Sequence, residues 1–440
     1  MQTSTAFFDT LQQQVSSARS KLHSLPTEEM ARKTGFLKRT PRKIPIPNLL
    51  DGLLAAASQT NFSLENIAST IGLAAKTTYS RQAFHDRLDP TVQPFLAEVI
   101  TSVFGQLSSQ GHTAEAFASF QRVLVQDSTV QTIPPHLAEL FPTSGNQLRK
   151  TCASLKIQWI CDLKNSAVEH VSLSGFTRND QAASPDILAI ARPGDLVIRD
   201  LGYLVASVLA QFVEQGIYFL TRYRLDMALG DRVTGQPLDL KTLLSTEGKL
   251  DCQVRFGPEQ TPMRLVALPV PEEVANLRRA RAKKSAKRRG RNPHSPTYMF
   301  LLGWNIFLTN VPRSTWPPKT LVATYRLRWR IEMIFKTWKS HLGLRQLNCH
   351  TGVLLQLSVM TKLLFCALVC QICDALQLIC PEDDHVSLLR LGSILAQAAC
   401  WFCAAVLGIS MSNWLTSRLA NHSLYEKRKD RKNYYELLVA

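Results

Sequence analysis

Apolar residues at Leu64, Ile67, Ala68 and Ile71 follow the three-and-four spacing of an amphipathic helix. Ser63 stands where an N-cap is needed, and Gly72 suits a helix end. A second short helix is expected over residues 80–87. The pair has the form of a helix-turn-helix, with Arg81, Gln82, His85 and Arg87 as its nucleic-acid face. The connection over 74–79 is long for that motif, and any two-helix hairpin shares the pattern.

From about residue 113 the pattern changes to short apolar runs separated by turns. Residues 120–127 predict a strand ending in Asp127, and 196–200 one ending in Asp200. Further strands are expected over 157–161, 168–173 and 217–221, with a helix over 203–214. This is a mixed α/β order. Farther on, Leu250, Cys252, Val254 and Phe256 alternate with Asp251, Gln253 and Arg255, the mark of a half-buried strand. Met263, Leu265 and Ala267 continue it less cleanly. Residues 225–311 thus read as a β-rich insertion, and 299–310 as the strand that closes it. Beyond residue 350 the chain is expected to be mainly helical.

Between these parts, Tyr325, Arg328, Glu332 and Lys339 lie at offsets that place them, on one continuous helix, at roughly 0°, 300°, 340° and 320°. Leu327, Ile331, Ile334, Phe335 and Trp338 fall beside this polar stripe. Such a helix buries one side and presents a carboxylate flanked by an arginine, a lysine and a tyrosine.

The charge sharpens this picture. With 51 basic and 34 acidic residues the net charge is +17, which favours a polyanionic partner. Basic residues gather at Arg32, Lys33, Lys38, Arg39, Arg42 and Lys43. They are densest over 278–291, where nine of fourteen are basic, Arg278, Arg281, Lys284 and Arg288 among them. A solvated segment has this composition too; the spacing near Arg278 and Arg281 suits a helix lying along phosphates. The charged stretch 425–432 reads as a frayed tail. Two C-x-x-C pairs, Cys370/Cys373 and Cys400/Cys403, sit in apolar runs without turn glycines and read as buried helical thiols rather than zinc knuckles. The apolar stretches 353–373 and 391–415 contain Lys362 and several polar residues, and are expected to be two long core helices rather than a hairpin in lipid. The start of the chain lacks a basic, then apolar, secretory pattern, so a cytoplasmic protein is expected.

Metal-dependent phosphodiester chemistry needs carboxylates grouped within a few ångströms on rigid mounts. Asp127, Asp200 and Glu332, on two strands and a helix, can supply them. Each also has a plain structural reading. Asp127 and Asp200 can open turns, Glu332 can pair with Arg328 or Lys336 four residues away, and Asp162 and Asp195 compete as strand-end acids.

The gapless spacing Tyr325-x2-Arg328-x3-Glu332-x6-Lys339 resembles the Y-R-E-K signature of bacterial insertion-sequence transposases of family four, which are of the DDE class. The stretch 125–129, containing Asp127, resembles the family's first-aspartate strand, and 194–203, containing Asp200, Gly202 and Tyr203, resembles its second. Leu308-Thr-Asn310 is similar as well; the likeness covers residues 115–350.

The resemblance implies a ribonuclease-H-like catalytic core interrupted by a β-rich insertion, with helical N-terminal and C-terminal parts. It implies Asp127, Asp200 and Glu332 as ligands of two Mg2+ ions, which Mn2+ can replace. Tyr325, Arg328 and Lys339 would contact DNA near the cleavage site, with Arg330 and Lys336 beside them. Trp304 lies near, but one residue out of register with, a tryptophan that in some members stacks a flipped base. The expected organisation is a DNA-binding domain over 1–112, the core over 113–224, the insertion over 225–311, the catalytic helix over 312–350 and a helical region over 351–440. The implied activity is binding of terminal inverted repeats followed by strand cleavage and strand transfer, on double-stranded DNA, as a dimer on paired ends, with no membrane and no nucleotide cofactor. The alternatives are an inactive sequence-specific DNA-binding protein and a metal-dependent nuclease without strand transfer.

Overall fold

The computed structural model describes residues 2–39, 44–59, 63–105, 115–143, 152–165, 167–290, 292, 294–344, 347, 349–380 and 386–410. Arg42, Lys43, Arg291, the end of the 391–415 stretch and the charged 425–432 tail lie outside them. The chain divides into a helical unit (1–106, 132–137 and 334–440) and a sheet unit (107–131 and 138–333).

In the helical unit, Gly352–Leu378 is a 27-residue helix, buried along most of its length, against which Gln2–Ser24, Ile46–Ala57 and Val92–Phe104 pack. It is long and apolar enough to cross a membrane, and 78% of its most apolar window is buried inside the fold. Lys362, on its buried side, donates to the carbonyls of Ala57 and Gln59, both at 2.7 Å. It thereby satisfies acceptors that the end of helix Ile46–Ala57 leaves open. The second apolar stretch is not one long helix: Leu388–Gln397 and Ala399–Leu407 meet at 80°. Cys403 is buried as expected of a core thiol, but Cys370 and Cys373 are half-buried and Cys400 is exposed.

The expected N-terminal helix pair forms. Ser63 caps Leu64–Ala75 by accepting from Asn66 N at 3.1 Å, and Ser80 caps the five-residue helix Arg81–His85. Gly72 does not end its helix, which runs on to Ala75 and closes at Lys76 in the left-handed region (φ 52°). The glycine is needed instead for room, since a Cβ there would lie 2.5 Å from the Thr77 carbonyl oxygen.

Among the described residues the sheet unit has nine strands: β1 (Val123–Ile133), β2 (Ala153–Asp162), β3 (Ala167–Gly175), β4 (Leu196–Arg199), β5 (Tyr218–Arg222), β6 (Leu229–Asp231), β7 (Leu250–Phe256), β8 (Thr261–Pro269) and β9 (Trp304–Thr309). Their order is β3-β2-β1-β4-β5-β9-β8-β7-β6. β1, β4 and β5 are parallel; β5–β9 and all pairs beyond are antiparallel. The strands of the 225–311 stretch therefore continue the same sheet. One apolar core runs from Leu124 and Val197 through Phe219 to Val254 and Leu265.

Asn310 secures the joint. Its side chain accepts from Phe219 N at 2.9 Å and donates to the Ile217 carbonyl at 2.8 Å, completing the edge of β5. Arg264, buried on β8, pairs with Asp251 on β7 and donates to the Val311 and Trp316 carbonyls, tying the last strands to the chain that leads to Glu332.

Three local expectations need correction. β1 does not end at Asp127 but runs on to Ile133, with no turn opening at Asp127 or Ser128. Residues 299–301 belong to a short helix, Pro296–Leu301, capped by Ser295, and β9 starts only at Trp304. The stretch 325–339 is not one helix: Pro318–Tyr325 ends at the tyrosine, Arg326–Arg328 form a tighter 3-10 turn, and Trp329–Ser340 follows.

Candidate active site

Parallel pairing sets the first half of the site. Gln126 on β1 lies in register with Arg199 on β4, so Asp127 and Asp200 each follow one member of a paired couple. Beneath them the Arg199 guanidinium is fully buried. It lies 3.4 Å from Gln126 Oε1, donates to the Ser184 hydroxyl at 2.8 Å and stacks over the Phe212 ring at 4.8 Å. Gln126 and Arg199 thus tie the two strands together just below the acids. Sequence reasoning missed them; the one available signal was a pair of polar residues inside otherwise apolar strands.

Glu332, in the first turn of helix Trp329–Ser340, supplies the third acid. All three carboxylates face one guanidinium. Arg328 Nη1 lies 3.1 Å from Asp127 Oδ2, Nη2 lies 2.5 Å from Glu332 Oε1, and Nε lies 3.7 Å from Asp200 Oδ1. Asp127 is fixed further by Ser128 N, which donates to its Oδ1 at 2.8 Å. Asp127 and Arg328 are 14% and 13% exposed, whereas Asp200 and Glu332 are 44% and 40% exposed, so the cluster opens to solvent on the side of the latter pair. Burial pushes the Asp127 carboxyl up to about 6; Asp200 and Glu332 add to the rise, while Ser128 N and Arg328 oppose it. Burial pulls the Arg328 guanidinium down, but the surrounding acids and Tyr325 outweigh it and hold the group above its ordinary value.

The competing strand-end acids have other work. Asp162 accepts from the backbone N–H groups of Val123 and Lys164, and Asp195 forms a buried ion pair with Arg122 at 2.6 Å. Neither joins the cluster.

Tyr325 is not a surface group. It is 9% exposed, packs on Phe307, and lies under the guanidinium groups of Arg222 and Arg328 at 5.7 and 5.9 Å. Its hydroxyl is buried, and burial pushes it up to about 12, with Asp200 adding to the rise and Arg328 and Arg222 opposing it. Arg330 and Lys336 are exposed on helix Trp329–Ser340 and Lys339 is half-buried there. Despite the 3-10 turn at 326–328, Arg328 stays on the side of Glu332, with which it pairs four residues on, and over the Tyr325 ring.

The basic segment forms helix Glu272–Arg288, with Arg281, Lys284 and Arg288 exposed. Arg278 is turned inward: it donates to the Trp304 carbonyl at 3.1 Å and to Asn305 Oδ1 at 2.8 Å. With Arg222, Arg281, Tyr298 and the half-buried Trp304 it lines an open cavity of about 800 Å3. In the helical unit, Arg81, Gln82 and His85 are exposed, but Arg87 is tied to the Ile44 carbonyl at 2.5 Å and does not share their face.

The family model for the transposase DDE domain matches residues 118–370, which takes in β1, β4 and the Glu332 helix. The chain belongs to the DDE transposase family. Its activity is that of a bacterial insertion-sequence transposase, an enzyme that cleaves and joins DNA strands. Curated relatives agree. The transposase for insertion sequence element IS231D of Bacillus thuringiensis subsp. finitimus is 28% identical over 73% of each chain. That for IS231B of Bacillus thuringiensis subsp. berliner is 27% identical over 77% of each. That for IS1151 of Clostridium perfringens is 22% identical over 63% of this chain and 64% of its own.

DDE transposases use divalent metal, and the donor set of this transposase fits one. Three carboxylates turned toward a single positive centre are the all-oxygen ligands that a hard cation takes. Among the described residues no such group is close enough together to clasp an ion as it stands. The spacing is that of the guanidinium between them.

Proposed function

We propose that this transposase binds the terminal inverted repeats of its element and performs metal-dependent strand cleavage and strand transfer from a ribonuclease-H-like core, as in family four. The observation that carries the reading is the approach of Asp127, Asp200 and Glu332, from three separate elements, to one guanidinium. These acids would hold two Mg2+ ions, or Mn2+. When bound, such ions activate an attacking oxygen and stabilise the leaving one in phosphodiester cleavage.

The chain's own groups divide the remaining work. Ser128 N holds one oxygen of Asp127, leaving the other directed at the site. Asp200 and Glu332 form the open side, where a scissile phosphate can approach. Arg328, already surrounded by acids, is placed to turn toward a DNA phosphate once cations take over its neighbours. Lys336, Lys339 and Arg330 extend that contact along the helix, and Arg281, Lys284 and Arg288 offer a second basic face. Arg81, Gln82 and His85 present a third, suited to end recognition. The working complex would be a dimer on paired ends, because strand transfer joins two ends at one target, and it would act in the cytoplasm on nucleoid DNA.

The test is cleavage of DNA carrying the element's ends, with Mg2+ or Mn2+, by wild type and Glu332→Gln. Wild type should cut and join a labelled end to target plasmid, and the variant should bind the same DNA without cutting. A folded wild type that binds but never cuts would leave a DNA-binding protein only. Cutting without joining would leave a nuclease.

A further inference from the structure

A fourth acid, Asp180, stands beside the candidate site and belongs to none of the roles above. It opens the short helix Asp180–Ala183. Its Oδ1 accepts from the Ser128 hydroxyl at 2.8 Å and pairs with Lys156 Nζ at 2.6 Å. Its other oxygen faces Gly202 so closely that a Cβ on that residue would lie 2.9 Å away. Ser128 directly follows Asp127, and Gly202 lies two residues after Asp200. One carboxylate therefore touches the chain just beyond both strand-borne acids.

Asp180 is not a spare metal ligand. Lys156 is 4% exposed on β2, and its ammonium needs this partner. Turning Asp180 toward an ion would strand that charge. The surroundings hold the arrangement in place. Gln158, two residues along β2 on the same face as Lys156, accepts from the Tyr203 hydroxyl at 2.5 Å. Burial, with Asp180 beside it, pushes that hydroxyl far above its ordinary value, so it remains a donor. Ser184 donates to the Tyr203 carbonyl at 2.8 Å, closing the turn after Asp200 from below.

We infer that Asp180 is a positioning residue for strand cleavage: with Lys156 it fixes Ser128 and the turn at Gly202, and through them the separation of Asp127 and Asp200. This rests on the reading of those two acids as metal ligands. It also accounts for two small residues in the motifs. Ser128 supplies a hydroxyl to Asp180, and Gly202 leaves space for it. Groups that orient metal ligands typically change metal affinity by about 10–100-fold when removed.

The test uses the full chain and Mn2+ as probe. Lys156→Met with Asp180→Ala removes the pair without stranding a charge, and Ser128→Ala removes one hydrogen bond while leaving the pair. Mn2+ binding is followed by electron paramagnetic resonance, and the Mg2+ and Mn2+ midpoints for end cleavage are measured below the unfolding temperature. The double variant should raise the binding midpoint about 10-fold or more, with cleavage restored at high Mn2+, and Ser128→Ala should shift it less in the same direction. A folded double variant with wild-type midpoints overturns the inference. If that variant does not fold, an unshifted Ser128→Ala does the same. Asp127→Asn is the control: were it to bind Mn2+ and cut like wild type, the ligand assignment itself would fall, and this inference with it.

Discussion

Arg328 Nη1 lies 3.1 Å from Asp127 Oδ2, although 201 positions separate the two residues. The same guanidinium reaches Glu332 four residues away and Asp200 across the site, so one cation offsets the mutual repulsion of three acids. Removing it should cost stability when no metal is present. Arg328→Gln, assayed with a chelator, should lose about 1.5–3 kcal/mol, the range for hydrogen bonds to charged groups. Saturating Mg2+ should narrow the gap, because a divalent ion takes over the same role. Thermal unfolding of both proteins with and without Mg2+ measures this, and an equal loss in both conditions would refute it.

The raised Asp127 carboxyl makes a second prediction whose sign can be worked out. Its folded value is about 6 against an ordinary 3.8. Between those values the unfolded chain releases this proton while the folded protein keeps it, so rising pH lowers stability across that window. The penalty is absent below about 3.8 and complete above about 6. It amounts to at most about 3 kcal/mol, from roughly two pKa units. Relative to Asp127→Asn in chelator, wild type should therefore lose stability from pH 4 to 6 and then level off. Mn2+ affinity should rise over the same range, since the ion competes with the proton. A flat difference between the two proteins would show that Asp127 is not raised.

Exposed basic residues on helix Glu272–Arg288 should act through phosphates. Replacing Lys283, Lys284, Lys287 and Arg288 with Gln should flatten the salt dependence of DNA binding by about 0.9 in log–log slope for each phosphate no longer neutralised. Arg278 should behave differently, because its guanidinium is bonded to the Trp304 carbonyl and Asn305. Arg278→Ala should lower thermal stability as well as affinity. Binding isotherms at several salt concentrations separate the two classes, and an unchanged slope in the four-residue variant would exclude the helix from the interface.

These features were unevenly legible in the sequence. Asp200 was readable because Gly202 marks a turn directly after an apolar strand. Asp127 was readable as a strand-borne acid but not as one in mid-strand, since nothing in the residues that follow it marks that β1 runs on to Ile133. The alternation at Leu250, Cys252, Val254 and Phe256 marked β7. Nothing local marked its place in a nine-stranded sheet, which depends on β5 meeting β9 some ninety residues away. The 3-10 turn over Arg326–Arg328 has no proline or glycine to announce it. It leaves Arg328 beside Glu332, so the stripe survives there; what the sequence did not announce is that the Tyr325 ring is packed on Phe307. Asp180 was invisible for a similar reason, because its partners come from three distant stretches of chain.

Gly52 offers a last test, of the helical unit. Helices Ile46–Ala57 and Leu64–Ala75 meet where Gly52 faces Ile71. A Cβ at Gly52 would lie 2.4 Å from Ile71 Cγ1, 2.6 Å from its Cα and 2.8 Å from its backbone nitrogen. A side-chain carbon can rotate away, but backbone atoms inside a helix cannot, so the two helices must move apart. Alanine gains up to about 1 kcal/mol in helix propensity over glycine. Overpacking of a core costs about 1–3 kcal/mol and occasionally more, and a clash with backbone belongs at the upper end. Gly52→Ala should therefore be destabilising by about 1–2 kcal/mol net, seen as a lower midpoint in thermal unfolding. The second helix leads directly to Arg81, Gln82 and His85, so the variant should also bind element-end DNA more weakly at temperatures near its transition. A Gly52→Ala protein as stable as wild type would mean that these two helices do not approach as closely as the Gly52–Ile71 packing requires.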